Sequence, residues 1–316
     1  MKKILIYLFV IFCIQGTVQT AFSQDNTATA GNLCTQSQSS INNFMKDYFK
    51  YTNEHNVPEI TKLYADNYVS GDGLKKDDVI KLIKAAWANY PSITVDTVIK
   101  SIRVSDQYAA VETYDKSQGI SANKSEITDD TGNLESESYN IIYLQKFGKG
   151  WRIISDKTTY EKTVIKFGTA KPLKVFLTAP EQVLSGENYT ASLETELPNG
   201  MIALGSITRE PIVYPETKPA EVYRQITNDG SLERFLKANT TNNNEFATAS
   251  VGYTEVSEDI FANPEVKLTG MAIVLTRVNV IPTSTFVQQN DKLKVESDLE
   301  TIDRLPDNTD KKDLND

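Results

Sequence analysis

The stretch YTNEHNVPEITKLYADNYVSGDG, residues 51 to 73, carries the chain's single histidine, His55, and ends on Asp72 between Gly71 and Gly73. One imidazole limits the chemistry available. A histidine-rich zinc site or a paired-histidine metalloprotease helix needs a second one. A serine or cysteine nucleophile would have to borrow His55, and no Gly-x-Ser-x-Gly elbow is present. His55 lies in the polar run NEHNVP, where a solvated ring is expected, and Asp72-Gly73 reads as a turn in a mobile stretch. Ser121 to Lys124 matches Ser-x-x-Lys without its partner motifs. GKGWRI, from Gly148, lacks the third glycine of a dinucleotide fingerprint and reads as a hairpin turn. TDDTGNLESE, residues 128 to 137, lacks the alternating ligands and central glycine of a calcium loop. No cofactor and no tightly bound metal are expected.

The elements that position these residues can be read from periodicity. Ile41, Phe44, Tyr48 and Tyr51 share one helical face. Val57-Pro58 opens a short second helix with Ile60, Leu63 and Tyr64 inward, proline being tolerated in a first turn. Lys75 to Tyr90 predicts a third helix, burying Val79, Leu82, Ile83, Ala86 and Trp87 and stopped by Pro91. The period then drops to two. SITVDTVIKSIRVS and QYAAVETYDKS predict strands, NKSEITDDTGNLESES a long polar loop, and YNIIYLQKF with WRIISDKTTYEKTVIKF a hairpin. Gly168 to Pro172 reads as a linker. Beyond it strand patterns dominate, with a short helix predicted over Ser231 to Ala238, and their spacing suggests a two-sheet sandwich.

Lys2 and Lys3, the apolar run Ile4 to Ile14, and Ala21-Phe22-Ser23 predict a signal peptide cleaved after Ser23. The run is too short for a permanent anchor. An exported protein, periplasmic or extracellular, with no membrane insertion after cleavage is the expectation. Residues 24–37 read as a flexible arm, and residues 288–316, rich in Asp and Glu, as a disordered tail. Only Cys34 survives cleavage, so no intramolecular disulfide is expected. Removing residues 1–23, with two lysines and no acid, takes the net charge from −9 to −11. That surface disfavours nucleic acid as a partner.

Three helices followed by an antiparallel sheet resemble the nuclear transport factor 2-like (NTF2-like, SnoaL/ketosteroid isomerase-like) superfamily over residues 38–168. NVPEITKLYADNYVSGDG resembles its second-helix stretch, where Tyr-Ala-Asp ends the helix, and FGKGWRIISDK resembles its last hairpin. The resemblance implies an α+β cone, with helices packed on a curved antiparallel sheet whose mouth can hold a small apolar ligand. A homodimer through the sheet is likewise implied. Residues 172–287 resemble, more loosely, a bacterial immunoglobulin-like sandwich. The ketosteroid isomerases of that superfamily give the sharpest enzymatic reading. Aligned without gaps from the first helix, Tyr48 falls on their oxyanion-donating tyrosine and Asp72 on their proton-shuttling carboxylate. Tyr143, four residues before Phe147, takes the slot of their second donor, an acid, and is a departure.

Six aromatics, Tyr48, Tyr64, Trp87, Tyr114, Tyr143 and Tyr160, are the candidates for lining such a pocket, offering apolar surface with hydrogen-bonding tips. The combined expectation is a two-domain, non-catalytic binding or scaffold protein for a small apolar ligand or a protein partner. Its rivals are an isomerase or dehydratase using Asp72, Tyr48 and Tyr143, and a cell-surface adhesion module. Adhesion would require an exposed apolar face on residues 172–285.

Overall fold

The computed structural model describes residues 30–215, 220–255 and 267–283. The expected signal peptide, the start of the arm and the acidic tail lie outside them. Helix α1 (Ala30–Asn53) begins inside the stretch read as an arm. It buries Ile41, Phe44, Met45, Tyr48 and Phe49 on one face, as the three-four spacing requires. Asn56 caps α2 (Val57–Leu63), its side chain accepting from the Glu59 N–H. Helix α3 (Lys76–Asn89) buries the face predicted for it and ends before Pro91.

Strands β1 (Thr94–Ser105), β2 (Tyr108–Lys124), β3 (Thr131–Phe147) and β4 (Gly150–Gly168) form an antiparallel meander. The helices cover one face of it, packing on Val111, Ile142, Leu144 and Ile153; this is the inner face. Register shifts between Ile99 and Ser101, Tyr139 and Asn140, and Tyr143 and Leu144 bend the strands. The long loop expected over residues 123–138 is mostly strand: only residues 125–130 separate β2 from β3. Its inner-face positions are Gly132, Leu134, Ser136 and Ser138, and its outer ones Asn133, Glu135 and Glu137. Polar residues on both faces erase the hydrophobic alternation by which a strand is recognised.

The second half comprises β5 (Val175–Thr178), β6 (Gln182–Leu184), β7 (Asn188–Thr195), β8 (Met201–Pro211), β9 (Arg224–Gln225), β10 (Ser231–Lys237), β11 (Glu245–Glu255) and β12 (Lys267–Ile281). The helix expected over Ser231 to Ala238 is strand β10. Leu232, Phe235 and Leu236 mimic helical spacing, but β7 offers an edge that pairs with all seven residues of β10 and overrides local preference. Strands β10-β7-β5 form one sheet, which packs on β8, β11 and β12 around a second core that includes Leu193, Ile207, Val251 and Tyr253.

Strand β12 also pairs with β4, from Gly270 opposite Gly168 to Thr276 opposite Lys162. The two halves therefore share a sheet running β1-β2-β3-β4-β12-β11-β8-β9. The segment read as a linker is a tight, packed turn: Ala170 is fully buried, its N–H donates to the Phe167 carbonyl, and the Thr169 N–H donates to the Thr269 carbonyl. Gly168 has φ +55°, and a Cβ there would lie 2.1 Å from the Thr269 carbonyl oxygen. Gly168→Ala should therefore cost about 2–3 kcal/mol or more, from strain plus displacement of β12. Urea denaturation would check this; a loss under about 0.5 kcal/mol would show that the junction yields freely.

Candidate functional site

Asp72 is held firmly, contrary to the mobile turn expected for it. The Ser70 hydroxyl accepts from the Asp72 and Leu74 amides, and the Gly71 N–H donates to the Asp156 carbonyl at 2.6 Å. Oδ1 of Asp72 accepts from the Arg277 guanidinium and, at 2.7 Å, from the Asn244 side-chain amide. The ion pair is buried, with side chains 7 % and 2 % exposed. A carboxylate from the helical half is thus bound to β12 and to the segment before β11. Both of these contacts on Oδ1 are structural ones within the chain.

Two more carboxyls share this junction. Asp156 is half-buried as a residue but its carboxyl is enclosed; burial pushes it up to about 6, against the Tyr68 hydroxyl that donates to it at 2.7 Å. Burial also raises Glu161 to about 7, against the pull of Arg277 and with the Asp72 charge adding to the rise. Glu161 Oε1 has no hydrogen-bond partner among the described residues. Three acids thus surround one guanidinium, and burial raises two of them above the usual carboxylate range.

The other expected residues divide between the two faces. Tyr48, Tyr64 and Trp87 are buried in the helical core. The Tyr48 and Tyr64 hydroxyls lie 3.5 Å apart, and the Tyr64 ring meets Tyr68 edge-on. His55 is no solvated loop residue: its ring stacks on Trp87 at 4.9 Å, and Nε2 lies 3.1 Å from the Ile93 carbonyl. Tyr114, Tyr143 and Tyr160 point the opposite way. Strand alternation places Tyr143 on the outer face with Glu137 and Tyr139. The trio Asp72, Tyr48 and Tyr143 is therefore split across the sheet, and the six aromatics do not line one pocket.

Sequence reading missed Asp115. It is fully buried on the inner face, accepting from Thr97 and, at 2.8 and 3.1 Å, from Thr113 and Asn140. Thr158 donates to Asn140 at 2.6 Å and fixes that amide. Burial raises Asp115 to about 7 despite the three donors. A signal was available: Ala109, Val111, Thr113, Asp115 and Ser117 alternate along β2, which puts an acid on the same face as Val111.

The outer face carries a cleft of about 970 Å³. Register aligns Asp96, Lys116, Glu137 and Lys162 as one row across β1 to β4, with charges of alternating sign. The next row is Val98, Tyr114, Tyr139 and Tyr160. Glu137 joins the rows, accepting from Tyr114 at 2.8 Å and Tyr160 at 2.7 Å. Partial burial would raise its carboxyl, but these phenols together with Lys162 and Lys116 hold it below the usual range. Residues Pro172 to Phe176 form the opposite wall, where Lys162 lies over the Phe176 ring at 5.4 Å. Among the described residues, no three His, Cys, Asp or Glu side chains are grouped to hold a metal ion.

No protein-family model and no curated protein matches this chain. Among solved structures it is similar to Bd1075 of Bdellovibrio bacteriovorus, with 14% identity and TM-score 0.33 over 42% of each chain. The matched region thus spans less than half of Bd1075. It is also similar to an NTF2-like superfamily protein of Salmonella enterica, with 10% identity and TM-score 0.33 over 40% of this chain and 91% of that one. A hexachlorocyclohexane dehydrochlorinase, LinA-type3 of Novosphingobium barchaimii, gives 10% identity and TM-score 0.32 over 40% and 86%. Several of the solved neighbours are named as NTF2-like, each matching about 40% of this chain.

The buried ion pair predicts an order of damage. Arg277→Ala leaves three enclosed acids without their cation and should cost about 3–5 kcal/mol. Asp72→Asn keeps Arg277 beside Asp156 and Glu161 and should cost clearly less; denaturant midpoints giving the reverse order would refute the arrangement. A pH dependence follows as well. Asp115, Asp156 and Glu161 bind protons more tightly folded than unfolded, so stability falls as pH rises from about 4 to about 7. The Tm at pH 5 should exceed that at pH 8 by several degrees, and Asp115→Asn should flatten part of the slope.

Proposed function

We propose that this chain is an exported, non-catalytic binding protein whose ligand seat is the cleft between the outer face of β1–β4 and the wall at Pro172 to Phe176. One observation carries the reading: a cleft of about 970 Å³ is lined by both halves of the chain and floored by a register-fixed row of alternating charges. That volume is at the upper end of what holds a small organic ligand. The candidate proton shuttle, Asp72, supports the same reading, because Arg277 and Asn244 occupy it. Export rests on Lys2, Lys3 and the apolar run to Ile14. No helix among the described residues is long and apolar enough to cross a membrane.

The second half supports an immunoglobulin-like reading. Sheet β10-β7-β5 faces β12-β11-β8-β9, and β6 crosses over to pair parallel with β12. In this role it supplies the second wall of the cleft. Adhesion through its own surface is a rival reading: Ile202 and Leu204 on one face of β8, with Val222, Tyr223 and Phe235, are exposed, although the cross-strand neighbour of Phe235 is Thr190.

A second reading, catalysis on the inner face, is favoured by Asp115 alone. A buried carboxyl that titrates near neutrality can move protons at physiological pH. One experiment separates the two. Native mass spectrometry of protein purified from its own host should show a retained ligand, lost in the double variant Lys162→Glu with Phe176→Ala and kept in Asp115→Asn. The opposite pattern would move the site to the inner face and overturn the binding proposal.

A further inference from the structure

We infer that the outer-face cleft takes a neutral oligosaccharide; the inference rests on that cleft being the ligand seat. The floor decides the charge of the ligand. Along the row Asp96, Lys116, Glu137 and Lys162 the signs alternate, and the rest of the lining adds Lys166 and Lys174 against Glu135, so the cleft's charges nearly cancel. Neighbouring strands are about 4.8 Å apart, so donor and acceptor alternate at roughly the length of one pyranose ring. A polyanion or polycation would meet a like charge at every second step. A chain of hydroxyls, each able to donate and to accept, meets a partner at every step. The adjoining row adds Thr94, Gln118 and Glu135, which extend the same mixed chemistry.

Aromatic faces supply the other half of sugar recognition, namely flat apolar surface for the C–H faces of the rings. Phe176 on the wall is 48 % exposed, and Tyr139, in the row just beyond the cleft floor, is 43 % exposed with its ring 4.6 Å from that of Tyr114. Glu137 clamps the two tyrosines flanking Tyr139 through their hydroxyls, so this aromatic row is fixed in advance of any ligand, which lowers the ordering cost on binding.

An extended peptide adding to the edge of β5 is the main competitor, and the edge is already blunted. β7 takes the backbone groups of even-numbered positions, as the Glu196 N–H bond to the Lys174 carbonyl shows, which turns the odd-numbered carbonyls to the open side. There Lys166 donates to the Leu173 carbonyl at 3.3 Å and Thr276 to the Leu177 carbonyl at 3.0 Å. Strand addition needs those acceptors free.

The test is calorimetric titration of the full secreted chain with cellotetraose, xylotetraose, maltotetraose and N,N′,N″,N‴-tetraacetylchitotetraose, each at millimolar concentration. At least one should bind, and Glu137→Gln and Phe176→Ala should each weaken it roughly tenfold or more. Dextran sulfate and polylysine, titrated alongside, should not compete for the site. Binding by none of the four sugars, or sugar binding untouched by both substitutions, overturns the inference. If the host-retained species is lost in the Lys162/Phe176 double variant while all four sugars fail, the cleft stands and only its ligand class falls. If that double variant keeps the retained species, the cleft reading falls too.

Discussion

The buried contact between Asp72 and Arg277 constrains everything around it. An ion pair removed from water must be closely matched, because desolvating two charges costs several kcal/mol before any attraction is counted. Here the match fixes two distant parts of the chain: the turn ahead of α3 and the middle of β12. Asn244 adds a second donor to the same oxygen and a contact from its own carbonyl oxygen to the Val280 amide. The turn, the final strand and the segment entering β11 are thereby tied at one point. Burial raises the neighbouring Asp156 and Glu161 carboxyls, and the Asp72 charge adds to that rise while Arg277 opposes it.

That constraint separates fold from chemistry. The order of helices and strands is one matter, and function belongs to the side chains placed on it. On the inner side Tyr48 and Trp87 pack, Asp115 accepts from three donors and Asp72 is bound to a guanidinium, while Glu161 Oε1 is buried without a partner among the described residues. On the outer face the side chains are aligned, partly exposed and alternately charged.

The helices were legible because each carries one apolar face. Ile41 to Phe49 and Val79 to Trp87 announce themselves by spacing alone. The meander was legible where valine and isoleucine alternate with polar residues, and illegible from Thr131 to Ser138, where polar residues occupy both faces. β10 was misread because Leu232, Phe235 and Leu236 fit a helix as well as a strand, and only the presence of β7 decides between them. The candidate site was hardest to see. Cross-strand rows such as Asp96, Lys116, Glu137 and Lys162 are built from residues up to 66 positions apart, and only register brings them together. Arg277, the partner that settles the role of Asp72, lies 205 positions away from it.

The nineteen-residue length of β4 has a further consequence. Its first part completes the meander and its last part carries β12, so one continuous backbone serves as a beam under both cores. Severing the polypeptide between Gly168 and Pro172 would not release two self-sufficient pieces. Each would be left with a long raw border of unmatched amides and carbonyls, an invitation to stick to copies of itself. The seam between the halves is thus a place where the molecule is stitched and not merely hinged.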